Sequence, residues 1–451
     1  MKKVLLLTAV LGAMSNMAQE AQADEGILDW LQGGHISGDI RLYDFSRDYA
    51  GTASDQSAGS PYTGAGTFNF KDMNALSLGG KLKGETGDWN GFSAGAAWYY
   101  AWDIGANNYT YNDSKLYNAA YGYPYLNSLL MGVNRTVDLL GEAWLQYHNS
   151  VFTVRGGRIA IDNPWVNSSD GFMIPNLYQG GSLLVTPMPG LSFNVDRVTD
   201  YKNRTTTDFS QSTIAALPYD KLIYTGEAGG TLDAGVNWQD VHVTAHAWLY
   251  DFYDLAHMVY LEGGYHDFPG LHPLFINAQY VDESGSGVIG NVDAQVLGFK
   301  LGINLDRELG NVFVAWNRAA SSTVTAISAG APTTAYNGNL YSPYTQIYNT
   351  DPLYTTVMNY GLVSARAPGD AWMLGACLHL DGGQVDVVPT VSEYDTEPHV
   401  ANARAWMLDV AWHVPGKLRG LTLRERLGVE QNIPLLGSSY LDNRIMLQYA
   451  F

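Results

Sequence analysis

The sequence predicts an all-β fold, an antiparallel β-barrel built to sit in a membrane. Three observations carry this expectation. The chain opens on an export signal. No later segment supplies about 20 uninterrupted apolar residues, so no helix is expected to span a bilayer. The body repeats short runs in which apolar and polar residues alternate with period two, separated by turn residues.

Lys2 and Lys3 precede an apolar stretch from Val4 to Met14, and Ala21-Gln22-Ala23 follows. This pattern reads as a secretory signal cleaved after Ala23. Residues 1–23 are then the signal peptide and 24–451 a single barrel domain, with 24–34 as a short lead-in. In the first run Ile36, Ile40 and Leu42 oppose Ser37, Asp39, Arg41 and Tyr43. Leu76, Leu78 and Leu82 then oppose Lys81 and Lys83, and Phe92 to Tyr100 places Ala94, Ala96 and Trp98 on one face. Val137, Leu139, Ala143, Leu145 and Tyr147 oppose Asp138, Glu142, Gln146 and His148. Val243 to Leu249, Leu297 to Ile303, Trp372 to Leu378 and Leu421 to Val429 repeat the pattern. The last run has Ile445, Leu447, Tyr449 and Phe451 on one face, against Asp442, Arg444, Met446 and Gln448. An aromatic terminal residue closing such a strand resembles the C-terminal signature of bacterial outer-membrane barrels.

A soluble β-protein also alternates, with its apolar face inward. Export, the terminal Phe and the aromatic strand ends favour the inverted arrangement, apolar face to lipid. An open sheet edge is not tolerated there, so the sheet must close. Connections alternate between tight (Thr86–Asn90, Asn149–Ser150, Pro187–Gly190, Asp381–Gly383) and long (Ser46–Asp72, Ile104–Arg135, Ile159–Gly180, Thr199–Thr225, Ala319–Thr356, Glu393–Arg404). Short turns are expected to face the periplasm and long loops the exterior; the runs amount to roughly 16 to 18 strands.

The formal charge of −19 makes nucleic acid an unexpected partner. It does not set the sign of a pore, because loop and lumen charges act on different things. Parity sends Arg41, Lys81, Lys83, Arg155, Lys300, Arg424, Arg426 and Arg444 inward. On the lipid side near the midplane, each Arg or Lys would cost about 2–4 kcal/mol. Such residues either bias passing ions or simply wet the lumen and pair with Asp39, Asp138, Glu142 and Asp442. Arg424 and Arg426 share a face two residues apart and repel, an arrangement that suits an anion passing between them.

Leu140-Gly-Glu-Ala-Trp-Leu-Gln-Tyr147, Val154-Arg-Gly-Gly-Arg158, Asn163-Pro164, Asp170 and Met173-Ile-Pro-Asn-Leu-Tyr-Gln-Gly180 together resemble the OprD-type porin family. Asn74 to Leu82, Gly91 to Ala97, Asp351-Pro-Leu-Tyr354 and Gly369-Asp-Ala-Trp372 extend the likeness. The resemblance implies about 18 strands around a narrow, substrate-selective channel, with the loop after Arg158 folded into the lumen as its constriction. It implies passage of small carboxylates, such as amino acids or aromatic acids, along a ladder of arginines, with no cofactor and no energy coupling. Arg41, Arg155, Arg158, Arg424 and Arg426 fit ladder positions. The family often has Arg just before the loop Met, where this chain has Phe172. The loop then offers Asp162, Asn167, Asp170 and Asn176 to an uncharged or cationic solute as the alternative.

Other chemistry reads as bland. His242 and His246 are four residues apart on a strand, roughly 13 Å, too far to share a metal ion. His266 and His272 read as a loop, and Asp103, Asn107, Asn108, Asn112 and Asp113 lack calcium-loop spacing. Cys377 stands alone, so no internal disulfide forms. The tyrosines of the two longest loops (Tyr109 to Tyr125 and Tyr336 to Tyr354) either grip a flat ligand or pack on one another. No nucleophile elbow, P-loop or zinc motif is present. Two rivals remain: a barrel enzyme using His148, His242 or His379, and a structural or adhesive barrel. Expected partners are small solutes, outer-membrane lipid and lipopolysaccharide, and the barrel-assembly machinery through the C-terminal strand. Monomer and homotrimer both stay open.

Overall fold

A computed structural model describes residues 33–50, 73–104, 129–132, 136–211, 229–268, 270–287, 290–306, 309–320, 325–328, 331–334, 340, 342, 344, 350–358, 361–366, 368–397, 402–432 and 439–451. The expected signal at 1–23, Tyr109 to Tyr125, Asn107 to Asp113, and Tyr336, Tyr341 and Tyr348 lie outside these.

The strands in chain order are β1 (His35–Ala50), β2 (Met73–Glu85), β3 (Phe92–Asp103), β4 (Thr136–His148), β5 (Phe152–Ile159), β6 (Leu177–Met188), β7 (Leu191–Lys202), β8 (Thr231–Gln239), β9 (Val243–Phe252) and β10 (Ala256–Phe268). They continue as β11 (Leu271–Gly287), β12 (Gly290–Asp306), β13 (Gly310–Ala319), β14 (Thr325–Ser328), β15 (Ala331–Thr334), β16 (Gly369–Leu380), β17 (Val385–Thr396), β18 (Ala403–His413), β19 (Leu421–Glu430) and β20 (Ser439–Ala450). β14 and β15 form a small hairpin touching β12 through Thr325. The other 18 form one closed antiparallel barrel, each paired with its chain neighbours and β20 with β1.

Closure is completed by the terminal residue. Gly38 donates its N–H to the Phe451 carbonyl at 3.0 Å, and Phe451 donates back at 2.9 Å. Large apolar residues face outward on strands round the wall: Leu145 is 69% exposed, Leu374 64% and Leu249 60%. Outward aromatics gather near both rims, as barrel girdles do. Trp98, Tyr100 and Trp102 stack at 4.8 Å steps near the long-loop rim, and Phe92 and Tyr147 meet at 4.8 Å near the short-turn rim.

Strand β4 departs from simple parity. Alternation predicts Val137 and Leu139 outward and Asp138 inward; the structure reverses all three. Ala97 of β3 pairs with Glu142 but Trp98 pairs with Leu140, leaving Gly141 as an extra residue. Such a bulge flips the faces on one side of it. Val137 and Leu139 are buried inside, and Leu140 is exposed outside. A Cβ on residue 141 would come within 2.6 Å of the Tyr99 ring and of Leu177, so any larger residue would have to displace both.

Two further expectations change. His266 lies on β10, which turns tightly into β11, rather than in a loop. The connections after β9 and β11 are short although they lie at the long-loop rim. A barrel this wide leaves a broad lumen unless something fills it. Here it is filled from within. Residues 160–176, after β5, and the described residues among 340–366, after the small hairpin, both bury apolar side chains against inward residues of the wall.

Candidate functional site

The loop 160–176 crosses the lumen. At its start Ile161, Trp165 and Val166 join an apolar cluster with Tyr178, Tyr250 and Tyr260. At its tip Phe172, Met173 and Ile174 join a second cluster with Tyr43, Phe45, Ala97 and Tyr99. Trp165 packs on Tyr260 of β10 at 6.2 Å and Phe172 on Tyr43 and Phe45 of β1 at 6.1 and 6.0 Å, so the loop spans the space between those two parts of the wall.

Short polar bonds fix its path. Asn163 accepts the Val166 N–H at 2.8 Å, a turn that asparagine side chains favour. Its Nδ2 donates to Asp196 of β7 and to Asp233 of β8, each at 3.1 Å. Asn167 donates to the Thr350 carbonyl at 3.0 Å, and the Tyr201 hydroxyl donates to Asn176 at 3.1 Å. Asn167 and Asn176 are therefore buried framework residues and do not face a passing solute, contrary to expectation. Asp162 is exposed.

The tip is tied by charge. Arg41 Nη1 meets Asp170 Oδ1 at 2.6 Å and Nη2 meets Oδ2 at 2.8 Å, while Arg41 Nε holds Asp39 at 2.8 Å. Arg41 also donates to the Phe172 carbonyl at 2.6 Å. Lys81 Nζ stands 3.5 Å from Asp170. Burial works against the Asp170 charge, but the Arg41 hydrogen bonds and charge, with Lys81 behind them, outweigh it and hold the carboxyl below its ordinary range. The Phe172 ring lies between two guanidinium groups, Arg204 at 4.2 Å and Arg444 at 5.1 Å from its centroid.

The predicted inward cations fall mostly on one wall. Arg424 and Arg426 (β19), Arg444 (β20), Arg41 (β1), and Lys81 and Lys83 (β2) occupy consecutive strands, and Arg155 (β5) lies further round. Lys300 lies on the far wall, its ammonium 4.0 Å over the Phe313 ring. Arg158 does not belong to the row. It pairs with Ala143, which shares the outward face of Leu145, and its guanidinium stacks on Phe209 at 4.6 Å. Arg155 and Arg158 are three apart, so a regular strand cannot send both inward.

Most of these cations have acidic or polar partners. Asp409 of β18 holds Arg424 at 2.6 and 2.8 Å and lies 2.9 Å from Arg426, so the two arginines do not repel unscreened across an empty gap. Lys83 contacts Glu85 at 3.0 Å and Glu142 at 3.8 Å. Arg155 bonds Gln146 and stacks over Trp144 at 4.3 Å. Arg444 contacts Asp442 at 2.8 Å. Side-chain exposure separates them: Arg424 keeps 33% and Lys81 30%, against 4% for Arg41 and 3% for Arg444. The loop tip thus covers part of the row and leaves Lys81, Lys83, Arg155, Arg424 and Arg426 partly accessible.

Sequence reasoning missed the second inward segment. Leu340, Tyr344, Leu353, Val357, Leu362 and Val363 pack inside the barrel, and Tyr344 meets Tyr178 and Tyr201 at 5.3 and 5.2 Å. For Tyr344 the packing alternative holds. Ser342 donates to the Trp165 carbonyl at 3.2 Å, joining the two inward segments. The signal was available: recurrent large apolar residues in a long exterior loop need a place to be buried. Also missed were Arg47, which bonds Asp442 at 3.0 Å, and Arg366, which meets Glu430 at 2.5 Å.

No family model and no curated protein matches the chain. Solved structures do. OpdK of Pseudomonas aeruginosa, crystallised with vanillate, aligns with TM-score 0.68 at 14% identity, over 94% of this chain and 99% of that one. OccAB2 of Acinetobacter baumannii aligns with TM-score 0.69 at 13% identity, over 94% and 99%. A BenF-like porin of Pseudomonas fluorescens Pf-5 gives TM-score 0.68 at 12% identity, again over 94% and 99%. The chain therefore has the fold shared by these porins, a closed 18-stranded transmembrane barrel.

Proposed function

We propose that this chain is an outer-membrane porin of the OprD type that gives passive, substrate-biased diffusion to small hydrophilic solutes. The observation that carries the reading is the loop 160–176 crossing the lumen beside a wall of partly accessible cations. A solute enters at the long-loop rim and passes the gap left by the two inward segments. It then exchanges between Lys81, Lys83, Arg155, Arg424 and Arg426 on its way to the periplasm. Multiple weak sites favour entry without trapping the solute. Small carboxylates suit this wall, and the vanillate found with OpdK is an aromatic carboxylate. The mature protein runs from Asp24, resides in the outer membrane of a Gram-negative cell, and performs no chemistry on its solute.

Planar-bilayer recording of the purified protein tests this reading; no conductance above the lipid background would sink it. Charge preference is tested at Asp409. Asp409→Asn should free Arg424 and Arg426 and raise the anion-to-cation permeability ratio by about twofold, and Arg424→Gln should lower it by a similar factor. Reversal potentials unmoved by either change would place the solute path elsewhere.

A further inference from the structure

The histidines of this chain are not scattered. Of the eight whose side chains are described, six lie at the rim where the turns are short, β1 begins and β20 ends. His35 opens β1, His148 closes β4, His242 immediately precedes β9, His266 is near the end of β10, His379 is near the end of β16 and His413 closes β18. The parity of their strands sends His35, His148, His266, His379 and His413 inward, as Asp39, Trp144, Tyr260, Met373 and Asp409 show, while the His242 ring, in the turn before β9, stacks 6.2 Å from the Tyr265 ring. Their strands are spread round the whole circumference.

Several face carboxylates. His35 Nε2 is 3.2 Å from Glu85, and His148 Nδ1 is 3.5 Å from Asp88. His379 Nδ1 and His413 Nε2 hold the two oxygens of Asp386 at 2.6 and 2.9 Å, and Thr422 lies 3.2 Å from His413 Nδ1. The His242 backbone donates to Asp240 at 2.8 Å, and the His266 ring lies 6.0 Å from Phe275. Other charges near the rim are Lys83 beside Glu85, Asp267 next to His266, Asp381, and Lys417 and Arg419 in the turn before β19. Arg424, held by Asp409, stands two residues deeper than Thr422.

We propose that these six imidazoles form a proton-responsive selectivity ring at the periplasmic mouth, which favours small anions when the periplasm is acidic. Imidazole changes charge between about pH 5 and 8. With the ring neutral, Glu85, Asp88, Asp240 and Asp386 make the mouth acidic. Full protonation adds six positive charges and reverses that sign. Rings of like charge at a mouth set which ions dwell there. Four of the side chains are about half exposed or more, so protons reach them directly: 65% for His35, 44% for His148, 52% for His379 and 48% for His413. The inference rests on the porin reading and adds to it a second selective element, distinct from the wall beside the constriction.

The test uses the full-length protein in planar bilayers, with potassium chloride gradients at low ionic strength, where screening reaches about 30 Å. Between about pH 8 and 5 the anion-to-cation permeability ratio should rise about threefold. Acidifying only the side facing the short-turn rim should reproduce most of the rise. His379→Gln with His413→Gln should remove part of it, and substitution of all six should abolish it while the channel still conducts. Asp386→Asn should raise the ratio at the higher pH. A conducting channel whose six-histidine variant keeps the wild-type pH shift would overturn the ring alone. A protein with no conductance would overturn both the ring and the porin reading.

Discussion

Asp170→Asn attacks the constriction at the contact that ties its tip. The change keeps the size of the side chain and one hydrogen-bonding oxygen but removes the charge facing Arg41 and Lys81. Breaking a fully buried ion pair costs about 3–5 kcal/mol. Two features reduce that here. Asp39 stays on Arg41 Nε at 2.8 Å, so the guanidinium is not left bare. Asp170 is also 35% exposed, so water already screens it. About 1–2 kcal/mol remains, a five- to thirtyfold rise in the open population of the tip. Hydrogen-exchange mass spectrometry should show protection of residues 169–174 falling by that factor, and single-channel traces should become noisier. The pH arm fixes the sign. The Asp170 carboxyl is held below the ordinary range, so its contribution is fully present above about pH 4 and is lost as pH falls through the folded value. Wild type should therefore loosen below about pH 4, and the Asn variant should not show that transition. Unchanged exchange and unchanged noise in the variant would refute the argument that charge holds the tip.

Two further substitutions probe the tip and the seam. Phe172→Arg restores the residue common in the resembling family, but here it would place a third guanidinium beside Arg204 and Arg444. The expected outcome is a lower melting temperature, with Phe172→Leu losing about 1–2 kcal/mol of ring–cation attraction but no more; an Arg variant as stable as wild type would contradict this. Gly38→Val should impair closure, because a Cβ there would lie 2.4 Å from the Lys81 carbonyl and 2.9 Å from the Phe451 ring. Heat-modifiable mobility on a gel reports barrel closure, and a fully folded Val variant would show that the seam tolerates the bulk.

Period-two alternation made the barrel legible because lipid imposes one rule on every strand: outward residues are apolar or interfacial. That rule assigned Arg444 inward from Leu447, Tyr449 and Phe451 alone, and the structure agrees. It failed on β4, where Gly141 adds a residue and reverses the faces before it. Nothing in the alternation of Val137 to Leu145 announces that insertion, since each half is regular by itself. It is visible only against the partner strand, where Ala97 and Trp98 pair with residues two apart.

The same limit governs the site. Parity says which side a charge is on but not which charge stands opposite, because the opposite residue is set by strand register. Arg424 and Arg426 were correctly sent inward, yet the acid between them is Asp409, on the neighbouring strand β18 and 15 residues from Arg424 in the chain. Arg41 has one partner legible locally, Asp39, and one that is not: Asp170 lies 129 residues away and arrives only because Asn163 and Trp165 anchor the loop on the far wall. The wall was therefore readable strand by strand. The constriction was not, because its geometry is a contact between a loop and a wall that share no periodicity.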